Sequence, residues 1–442
     1  MKLRKIYTSA GILLLSLFCI GDAVAKDAKF ETGVSFGSTG ADEPYSSLTD
    51  KDGNYYISGM CRGDVEFADG ATIKGRGGMD AVVVKYDAEL NFLWARAVGG
   101  SKDDTFERIA VTSAGDIVAV GKISGDVTID GTDQTLSGTQ STDGCIVVYD
   151  KDGNYKSSAQ IKAAGASLCY SVAVDKSDNI FVTGSTVGAT DFGNEKTVTI
   201  EGSNPGTFLA CYNNSLVCQW AIAGSSPVQS YGWAVNFDKE ENILLTGRFG
   251  TTFTITGTDG EALTTAVGSE SSQDTYVAKL SHEGVGQWIT YVTNSNRIDT
   301  RSIDSDSQGN VYIWGHCQSA VTPEGQSPLG FNGNFDSFLI KYSSAGAYLD
   351  GMNLGGSGRD EAKSLFVDAD DNIYVAGNVN GDGSKGGTAV NMNPRGESKD
   401  YTFKGHDGYV AKYNGSTWEL MQLEKTVTPD NANQHEVAWC VT

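Results

Sequence analysis

Short apolar stretches recur along this chain, and each of them ends in glycine. Gly, Asp, Asn and Ser fill the positions between the stretches, and these residues are typical of turns. Runs of β-branched and aromatic residues bounded by turn residues predict β-strands. Six copies occur, at spacings of 62, 63, 63, 68 and 62 residues: GNYYISG (Gly53 to Gly59), GDIVAVG (Gly115 to Gly121), DNIFVTG (Asp178 to Gly184), ENILLTG (Glu241 to Gly247), GNVYIWG (Gly309 to Gly315) and DNIYVAG (Asp371 to Gly377).

Each period contains four β-rich strings, and no segment has sustained helical periodicity. The second copy gives them as ERIAVT from Glu107, then DIVAVG, then CIVVY from Cys145, then KSSAQI from Lys156. A repeated four-stranded unit predicts an all-β fold, the β-propeller, in which each sheet packs on its neighbours around a ring. A linear solenoid is the alternative, but its repeats are usually shorter.

The two ends of the chain predict a partial seventh unit. The string EVAWCV (Glu436 to Val441) has the form of the first strand of a repeat and stands alone at the C-terminus. The segment Gly33 to Glu43 matches the end of one repeat, Ala97 to Asp104. We expect six complete blades and a seventh formed jointly by the termini, with a six-bladed ring as the alternative.

A chained motif connects these repeats to a known family. A second string recurs in the form of DGYVAKY from Asp407, and most copies keep the Asp, an aromatic third residue and the Lys. An aromatic residue follows in the next strand, and after it Gly-Gly-Ser precedes an Asp. This pattern resembles the SBBP family of bacterial β-propeller repeats, and more loosely the NHL and YVTN repeats, over residues 33–442. Thr207 and Cys211 depart from it in the third copy. The resemblance implies a propeller and export, and no particular chemistry.

The charge balance excludes one class of partner. The 442 residues include 33 Lys and Arg against 55 Asp and Glu, a formal net charge of −22 at pH 7. A protein that neutralises phosphates over a broad surface needs the opposite sign, so we do not expect nucleic acid as a partner.

The N-terminus predicts an export signal. Basic residues precede an apolar run from Ile12 to Ile20, and the small residues Ala23 to Ala25 follow as a cleavage site. We therefore divide the chain into a signal peptide, residues 1–25, and one β-propeller domain, residues 26–442. The expected location is the periplasm, the cell surface or the outside of the cell, without a transmembrane segment. A lipid anchor at Cys19 is not expected, because a bulky phenylalanine precedes it.

Local motifs give little support for catalysis. The four histidines lack metal-ligand spacing, and neither a nucleophile elbow nor a phosphate loop is present. No cofactor is expected. No metal site is expected; the Asp-rich segment with Asp368, Asp370 and Asp371 is the best remaining cation candidate, and hairpin turns are the favoured explanation of such clusters. Cys211 and Cys218 flank one predicted hairpin and are candidates for a disulfide bridge.

Variation between repeats gives the positive argument for a site. The residue after each string-ending glycine and a residue near the start of each first strand should border one face, the mouth of the central channel. Basic and aromatic residues at these places suit an acidic or sugar ligand, since Arg pairs with carboxylates and aromatic rings stack on sugars. Long segments between second and third strands, such as Lys122 to Thr142, are expected to enlarge this face. The candidate ligand-binding residues are Lys122, Trp233, Arg248, Arg301, His316, Arg108 and Tyr170.

Two functions follow from this pattern. The leading hypothesis is an exported, non-enzymatic binding or assembly module that engages a carbohydrate or an envelope or extracellular protein at the mouth. The rival hypothesis is a carbohydrate-active hydrolase or lyase whose carboxylates come from separate blades.

Overall fold

A computed structural model describes residues 37–38, 40–67, 69–266, 273–380, 388–397, 400–403 and 406–425. Every regular element among them is a β-strand, as the sequence predicts. No helix in this part of the chain is long and apolar enough to cross a membrane. The predicted signal peptide, Cys19 and the string from Glu436 to Val441 lie outside the described residues.

The strands are numbered in chain order. The first sixteen are β1 (Asp42–Thr49), β2 (Tyr55–Arg62), β3 (Val65–Glu66), β4 (Thr72–Ile73), β5 (Met79–Tyr86), β6 (Phe92–Gly100), β7 (Thr105–Val111), β8 (Ile117–Ile129), β9 (Thr135–Tyr149), β10 (Tyr155–Ala163), β11 (Ser167–Val174), β12 (Ile180–Thr186), β13 (Gly188–Asp191), β14 (Thr197–Ile200), β15 (Gly206–Tyr212) and β16 (Cys218–Ser225). The remainder are β17 (Ser230–Phe237), β18 (Ile243–Phe249), β19 (Thr252–Thr256), β20 (Ala262–Ala266), β21 (Asp274–Leu280), β22 (Gly286–Thr293), β23 (Ile298–Ser305), β24 (Val311–Cys317), β25 (Thr322–Pro323), β26 (Asp336–Tyr342), β27 (Tyr348–Leu354), β28 (Arg359–Val367), β29 (Ile373–Asn380), β30 (Thr388–Asn391), β31 (Asp400–Phe403), β32 (His406–Tyr413) and β33 (Leu420–Lys425).

These strands form six antiparallel four-stranded sheets, one for each predicted repeat. In every sheet the strands lie in chain order, and we call them first to fourth. Sheets 1 to 6 are β1-β2-β5-β6, β7-β8-β9-β10, β11-β12-β15-β16, β17-β18-β21-β22, β23-β24-β26-β27 and β28-β29-β32-β33. The first strands of successive sheets contact one another, and apolar clusters fill the spaces between sheets. The four-stranded β-propeller-like repeat is therefore confirmed.

The sequence predicts that the long segments between second and third strands enlarge the mouth, but not all of them do. Most of them form hairpins or short strands that reach back to the fourth strand of the preceding sheet. The extension of β8 pairs with β6, β13 with β10, β19 with β16, and β25 with β22. This pairing satisfies backbone groups that an edge strand would otherwise expose.

The residues that carry the family resemblance hold the sheets together. The third-strand lysine contacts the aspartate of the turn between first and second strands, as in Lys341 to Asp306 at 3.0 Å. The fourth-strand tryptophan packs on the next sheet, where the indole of Trp94 donates to the carbonyl oxygen of Lys151 at 3.1 Å. A side chain at Gly153 would collide with that indole ring. The motif therefore encodes packing between and within sheets.

Sheet 3 departs from the motif, and a neighbouring sheet compensates. Cys211 stands where sheets 4, 5 and 6 have the lysine, so the turn carboxylate Asp175 lacks that partner. His282 of sheet 4 lies 2.7 Å from Asp175 instead.

The described N-terminal residues resemble the end of a fourth strand. The backbone N–H of Ser38 donates to the carboxylate of Asp42, just as Gly100 donates to Asp104. Gly37 forms a bridge with Glu66 in β3, the strand that follows the second strand of sheet 1. This bridge corresponds to the pairing of other fourth strands with the hairpin of the next sheet.

Candidate functional site

A β-bulge lies near the start of the first strand in all six sheets. In each case the residue before the bulge pairs with the glycine that ends the apolar string of the second strand, as Gly232 pairs with Gly247. A Cβ at that glycine would overlap a first-strand carbonyl oxygen, that of Tyr231 for Gly247. The recurring glycine therefore makes room for the bulge, and a bulge redirects the side chain of the extra residue.

The six bulged residues include aromatic, acidic and basic side chains although their backbone positions are equivalent. Their separations reproduce the period of the sequence repeat. They are Tyr45, Glu107, Tyr170, Trp233, Arg301 and Lys363. We call these residues, together with the side chains that contact them from the same strands and from the ends of the second strands, the mouth.

Aromatic rings of sheets 3 and 4 form one side of the mouth. The ring centroids of Tyr170 and Trp233 are 4.4 Å apart, and Tyr231 stacks on Trp233 at 5.6 Å and 16°. The guanidinium carbon of Arg248 lies 4.7 Å from the Tyr231 centroid, and that of Arg301 lies 5.2 Å from the Trp233 centroid. All three rings are half-buried, so each retains exposed surface.

Asp299 on β23 is the central carboxylate of the mouth, and its side chain is 0% exposed. Arg297 donates to it at 2.7 Å and Arg248 at 3.2 Å, while Arg301 lies 3.9 Å away and His316 3.7 Å away. Burial alone would raise the pKa of Asp299, but the surrounding cations lower it below its ordinary value. Asp299 is therefore held as an anion beneath three guanidinium groups.

Glu107 and Lys122 extend the mouth into sheet 2. Lys122 on β8 pairs with Thr105 on β7, and the Thr105 hydroxyl donates to Glu107 at 2.9 Å. Burial raises the pKa of Glu107, although the charges of Lys122 and Arg301 oppose that shift. Arg108, the neighbour of Glu107 on β7, donates to the carbonyl oxygen of Arg301 at 3.2 Å, so sheet 5 faces sheet 2.

Sheet 6 contributes a second ion-paired group. Lys363 and Arg359 donate to Glu361 at 2.9 Å and 2.6 Å. Burial raises the pKa of Glu361, but Lys363 and the other nearby cations lower it to about 2. His316, which is 3% exposed, has its pKa lowered to about 3 by burial and by the charge of Arg301. A neutral histidine and two firmly ionised carboxylates therefore lie beside the arginines.

Among the described residues of the mouth, cations outnumber carboxylates, although the chain as a whole is strongly acidic. The cationic side chains are Arg108, Lys122, Arg248, Arg297, Arg301, Arg359 and Lys363, and the carboxylates are Glu43, Glu107, Asp299 and Glu361. An excess of positive charge in a partly enclosed site attracts anions. Aromatic faces beside guanidinium groups add a surface on which a ring can stack.

The structure brings all seven predicted ligand-binding residues into this one cluster. One alignment is corrected: the residue of sheet 2 equivalent to Tyr170 is Glu107, and Arg108 lies one position later. Arg108 nevertheless reaches the mouth, where it donates to the carbonyl oxygen of Arg301. That these residues bind a ligand stays a prediction.

The sequence analysis missed several members of the mouth, notably Tyr231, Asp299 and Glu361. Each lies two residues before a bulged residue, as Tyr231 lies before Trp233, on the first strand. This spacing of two, which places side chains on one side of a strand, was the signal that could have identified them.

The Asp-rich candidate for a cation site is occupied by turn hydrogen bonds. Asp368 accepts from the backbone N–H groups of Asp370 and Asn372, and Asp371 accepts from the N–H and hydroxyl of Ser307 in the preceding sheet. Among the described residues, no three His, Cys, Asp or Glu side chains are arranged to hold a metal ion. These carboxylates therefore shape a turn and connect two sheets.

The candidate disulfide bridge between Cys211 and Cys218 is not formed. Both thiols are free and buried. A register shift between Cys211 and Tyr212 places Cys218 opposite Tyr212, so the two cysteines belong to apolar clusters on opposite faces of sheet 3. The two cysteines flank one hairpin, but the register shift places their side chains on opposite faces of the sheet.

Comparisons with known proteins support the repeat. Residues 158–193, which lie in sheets 2 and 3, match the beta-propeller repeat family SBBP. This match confirms the resemblance given by the sequence motif.

Two similar proteins extend over most of the chain. An uncharacterized WD repeat-containing protein, L264 of Acanthamoeba polyphaga mimivirus, is 21% identical over 435 residues, which cover 80% of this chain and 31% of that protein. The chain thus spans about a third of the length of this curated relative. The extracellular domain of the one-component system BT4673 from B. thetaiotaomicron matches with 11% identity over 86% of this chain and 71% of that one, at a TM-score of 0.19.

Proposed function

We propose that this protein is a non-enzymatic binding module and that its mouth is the binding face. The observation that carries the proposal is the convergence of cationic and aromatic side chains from four sheets on one site in an acidic protein. A scaffold that repeats its backbone but varies its bulged residue fits recognition better than structure alone. The partner class is a carbohydrate or an envelope or extracellular protein.

We also propose export and a seventh radial position. The first 25 residues have the form of a signal peptide, which places the mature domain outside the cytoplasm. The bridge between Gly37 and Glu66 supports a fourth strand of a seventh sheet between sheets 6 and 1. The string from Glu436 to Val441 would supply the first strand of that seventh sheet. In this arrangement both termini close the ring.

A carbohydrate hydrolase or lyase is the second candidate. An acid and a base need carboxyl groups whose pKa values are pushed apart, and burial raises the pKa of Glu107 while cations lower those of Asp299 and Glu361. Turnover decides between the two candidates. A bound glycan that is recovered intact after long incubation supports a binding module, whereas shorter products that disappear in Glu107→Gln support the enzyme.

The proposed binding face is tested by a thermal-shift screen of residues 26–442 against neutral and acidic glycans, followed by charge reversal. Lys122→Glu in the mouth should abolish any stabilisation that saturates with ligand. Lys176→Glu, a charge reversal on the highly exposed side chain of Lys176 outside the mouth, is the matched control and should bind normally. Equal loss in both variants, or in neither, contradicts the proposal.

If no glycan stabilises the protein, the same pair of variants is used in affinity capture from the envelope of the producing cell. A specific partner that wild type and Lys176→Glu retain, and Lys122→Glu loses, supports the mouth as a protein-binding face. A partner retained by all three proteins places the binding face elsewhere.

A further inference from the structure

Arg301 differs from the other two arginines around Asp299. Arg297 and Arg248 donate hydrogen bonds to that carboxylate, but the guanidinium of Arg301 is 3.9 Å away, beyond hydrogen-bond distance. Its Nε, like that of Arg248, is buried and has no hydrogen-bond partner within the described ranges. The side chain is 33% exposed, compared with 11% for Arg248 and 43% for Arg297, which already donates to Asp299. Arg301 is thus the guanidinium that is accessible and still able to donate hydrogen bonds to another carboxylate.

Trp233 provides a stacking surface beside this guanidinium. Arg301 lies over its ring at 5.2 Å, and Tyr170 and Tyr231 support the indole from sheets 3 and 4. The indole N–H is buried and lacks a hydrogen-bond acceptor in the described part of the chain. An unsatisfied buried donor is costly, and a ligand oxygen would relieve that cost.

The excess of positive charge in the mouth is larger than one anionic group would neutralise. Arg297 and Arg359 are about half exposed, at 43% and 52%, and each also pairs with a carboxylate two residues later in the chain. One bound carboxylate would leave the mouth positive. A ligand with carboxylates at regular intervals would neutralise several of these groups together.

We propose that the mouth binds an acidic oligosaccharide built from carboxylated sugars, with one carboxylate on Arg301 and the sugar ring against Trp233. This inference rests on the proposed binding function of the mouth and names its ligand class. A guanidinium holds a carboxylate through two parallel hydrogen bonds, and the flat face of an aromatic ring packs on the C–H face of a sugar. An inorganic anion would use only the first contact, and a neutral sugar only the second.

Isothermal titration with a matched pair of ligands tests the proposal. The probes are trigalacturonate and the neutral galactose trimer of the same linkage. Wild type should bind the acidic trimer at least roughly tenfold more tightly, since a charged hydrogen-bonded pair contributes about that factor or more. The preference should weaken as salt rises, because ions screen exposed charges.

Three variants separate the two contacts. Arg301→Gln should weaken binding of the acidic trimer by roughly 10- to 100-fold and leave the neutral trimer unaffected. Trp233→Ala should weaken both. Arg96→Gln is the control, because Arg96 also lies over a tryptophan, Trp94, at 5.8 Å but far from the mouth. Arg301→Gln leaves Asp299 paired with Arg248 and Arg297, so the fold should persist, and circular dichroism checks this.

The outcomes distinguish this inference from the proposed function. Equal affinity for the two trimers, or acidic binding unchanged in Arg301→Gln, overturns the inference while the mouth remains a binding face. Binding of phosphate as tightly as of the acidic trimer likewise overturns it in favour of a simple anion site. If no sugar binds but a protein partner is lost in Lys122→Glu, the inference fails and the proposed function stands. If no variant of the mouth changes the binding of any ligand or partner, both the inference and the proposed function fail.

Discussion

The guanidinium of Arg108 donates a hydrogen bond to the backbone carbonyl oxygen of Arg301 at 3.2 Å, although 193 residues separate the two in the chain. The contact joins the first strand of sheet 2 to the first strand of sheet 5. The accepting oxygen belongs to a bulged residue, so Arg108 acts on the backbone that orients the Arg301 side chain. The first strands of the sheets therefore curve around a shared space that side chains cross.

Replacing Arg108 by Met should affect the mouth more than the fold. A half-exposed hydrogen bond to a carbonyl contributes about 1 kcal/mol, so the melting temperature should fall only slightly. Affinity for an acidic ligand should fall several-fold because Arg301 loses its support. Titration calorimetry and a thermal melt of the same sample measure both effects. A large loss of stability with unchanged affinity would show that Arg108 is a structural residue only.

Replacing Gly247 by Ala should destabilise sheet 4 strongly. Its Cβ would overlap the carbonyl oxygen of Tyr231, and relieving that overlap requires removal of the bulge at Trp233. We expect a loss of roughly 3 kcal/mol or more in the free energy of unfolding, as for severe overpacking. Gly330→Ala, where a Cβ meets nothing within 4 Å, is the control and should be nearly neutral. Urea unfolding measures both, and similar values would contradict the role of the glycine.

His316 should make the protein less stable as pH falls from 6.5 towards 3. Its pKa is lowered to about 3 in the folded protein by burial and by Arg301. Between pH 6.5 and pH 3 the unfolded chain therefore binds a proton at this residue that the folded protein does not bind. His316→Gln lacks this effect. The stability difference between wild type and variant should therefore shift in favour of the variant by roughly 2 to 3 kcal/mol between pH 7 and pH 4.5.

The comparison must be made as a difference because other groups titrate in the opposite sense. Burial raises the pKa of Asp104, Asp304 and Asp360 to about 7, so these carboxyls stabilise the fold as pH falls. Their contribution is common to wild type and His316→Gln and cancels. Parallel stability curves for the two proteins would exclude a buried neutral histidine.

Cys211 and Cys218 should both react as free thiols. After unfolding in denaturant without a reductant, iodoacetamide should alkylate each of them, because they lie on opposite faces of sheet 3. Peptide mass spectrometry identifies the modified residues. A peptide pair that is linked before reduction, and separates after it, would contradict the free-thiol assignment.

Deleting residues 434–442 should destabilise the whole domain if the termini close the ring. Without a first strand in the seventh position, the sheets on either side of the gap would each expose an apolar face to water. The expected result is a cooperative melt at clearly lower temperature. A truncated chain with the melting profile of wild type would contradict closure by the C-terminus.

The fold was predictable because the repeat is visible in single residues. The string-ending glycine makes room for a bulge in all six sheets. The third-strand lysine contacts the turn aspartate in sheets 4, 5 and 6, and the fourth-strand tryptophan of sheets 1 and 4 donates to a carbonyl oxygen of the next sheet. The alignment of copies was wrong by one position at Arg108, because Glu107, which the repeat period selects, is the one acidic residue among the equivalent positions. The separation of Cys211 from Cys218 was hidden for another reason: a register shift, which no alternation of apolar and polar positions reveals, decides which face each side chain occupies.

The site was predictable in outline only. Variation between copies identified the correct edge of the sheets, and every candidate from Lys122 to His316 lies there. The spacing of Asp299 from Arg301 could have placed it in the mouth, but its contact with Arg248 is recognisable only when sheets 4 and 5 are placed side by side. Contacts between different repeats, such as Arg301 with Trp233, depend on the angle between sheets, which the sequence of one repeat does not contain.

The hairpins that reach back to the preceding sheet give the assembly a direction. Four fourth strands are covered only after the next repeat has been synthesised, as β10 is covered by β13. At each of these four stages a chain emerging from the ribosome carries one uncovered edge, that of its most recently completed sheet. A repeat that is duplicated in evolution must likewise include the hairpin that pairs with the preceding sheet. Insertion of one such blade then leaves no fourth strand without a hairpin to pair with it.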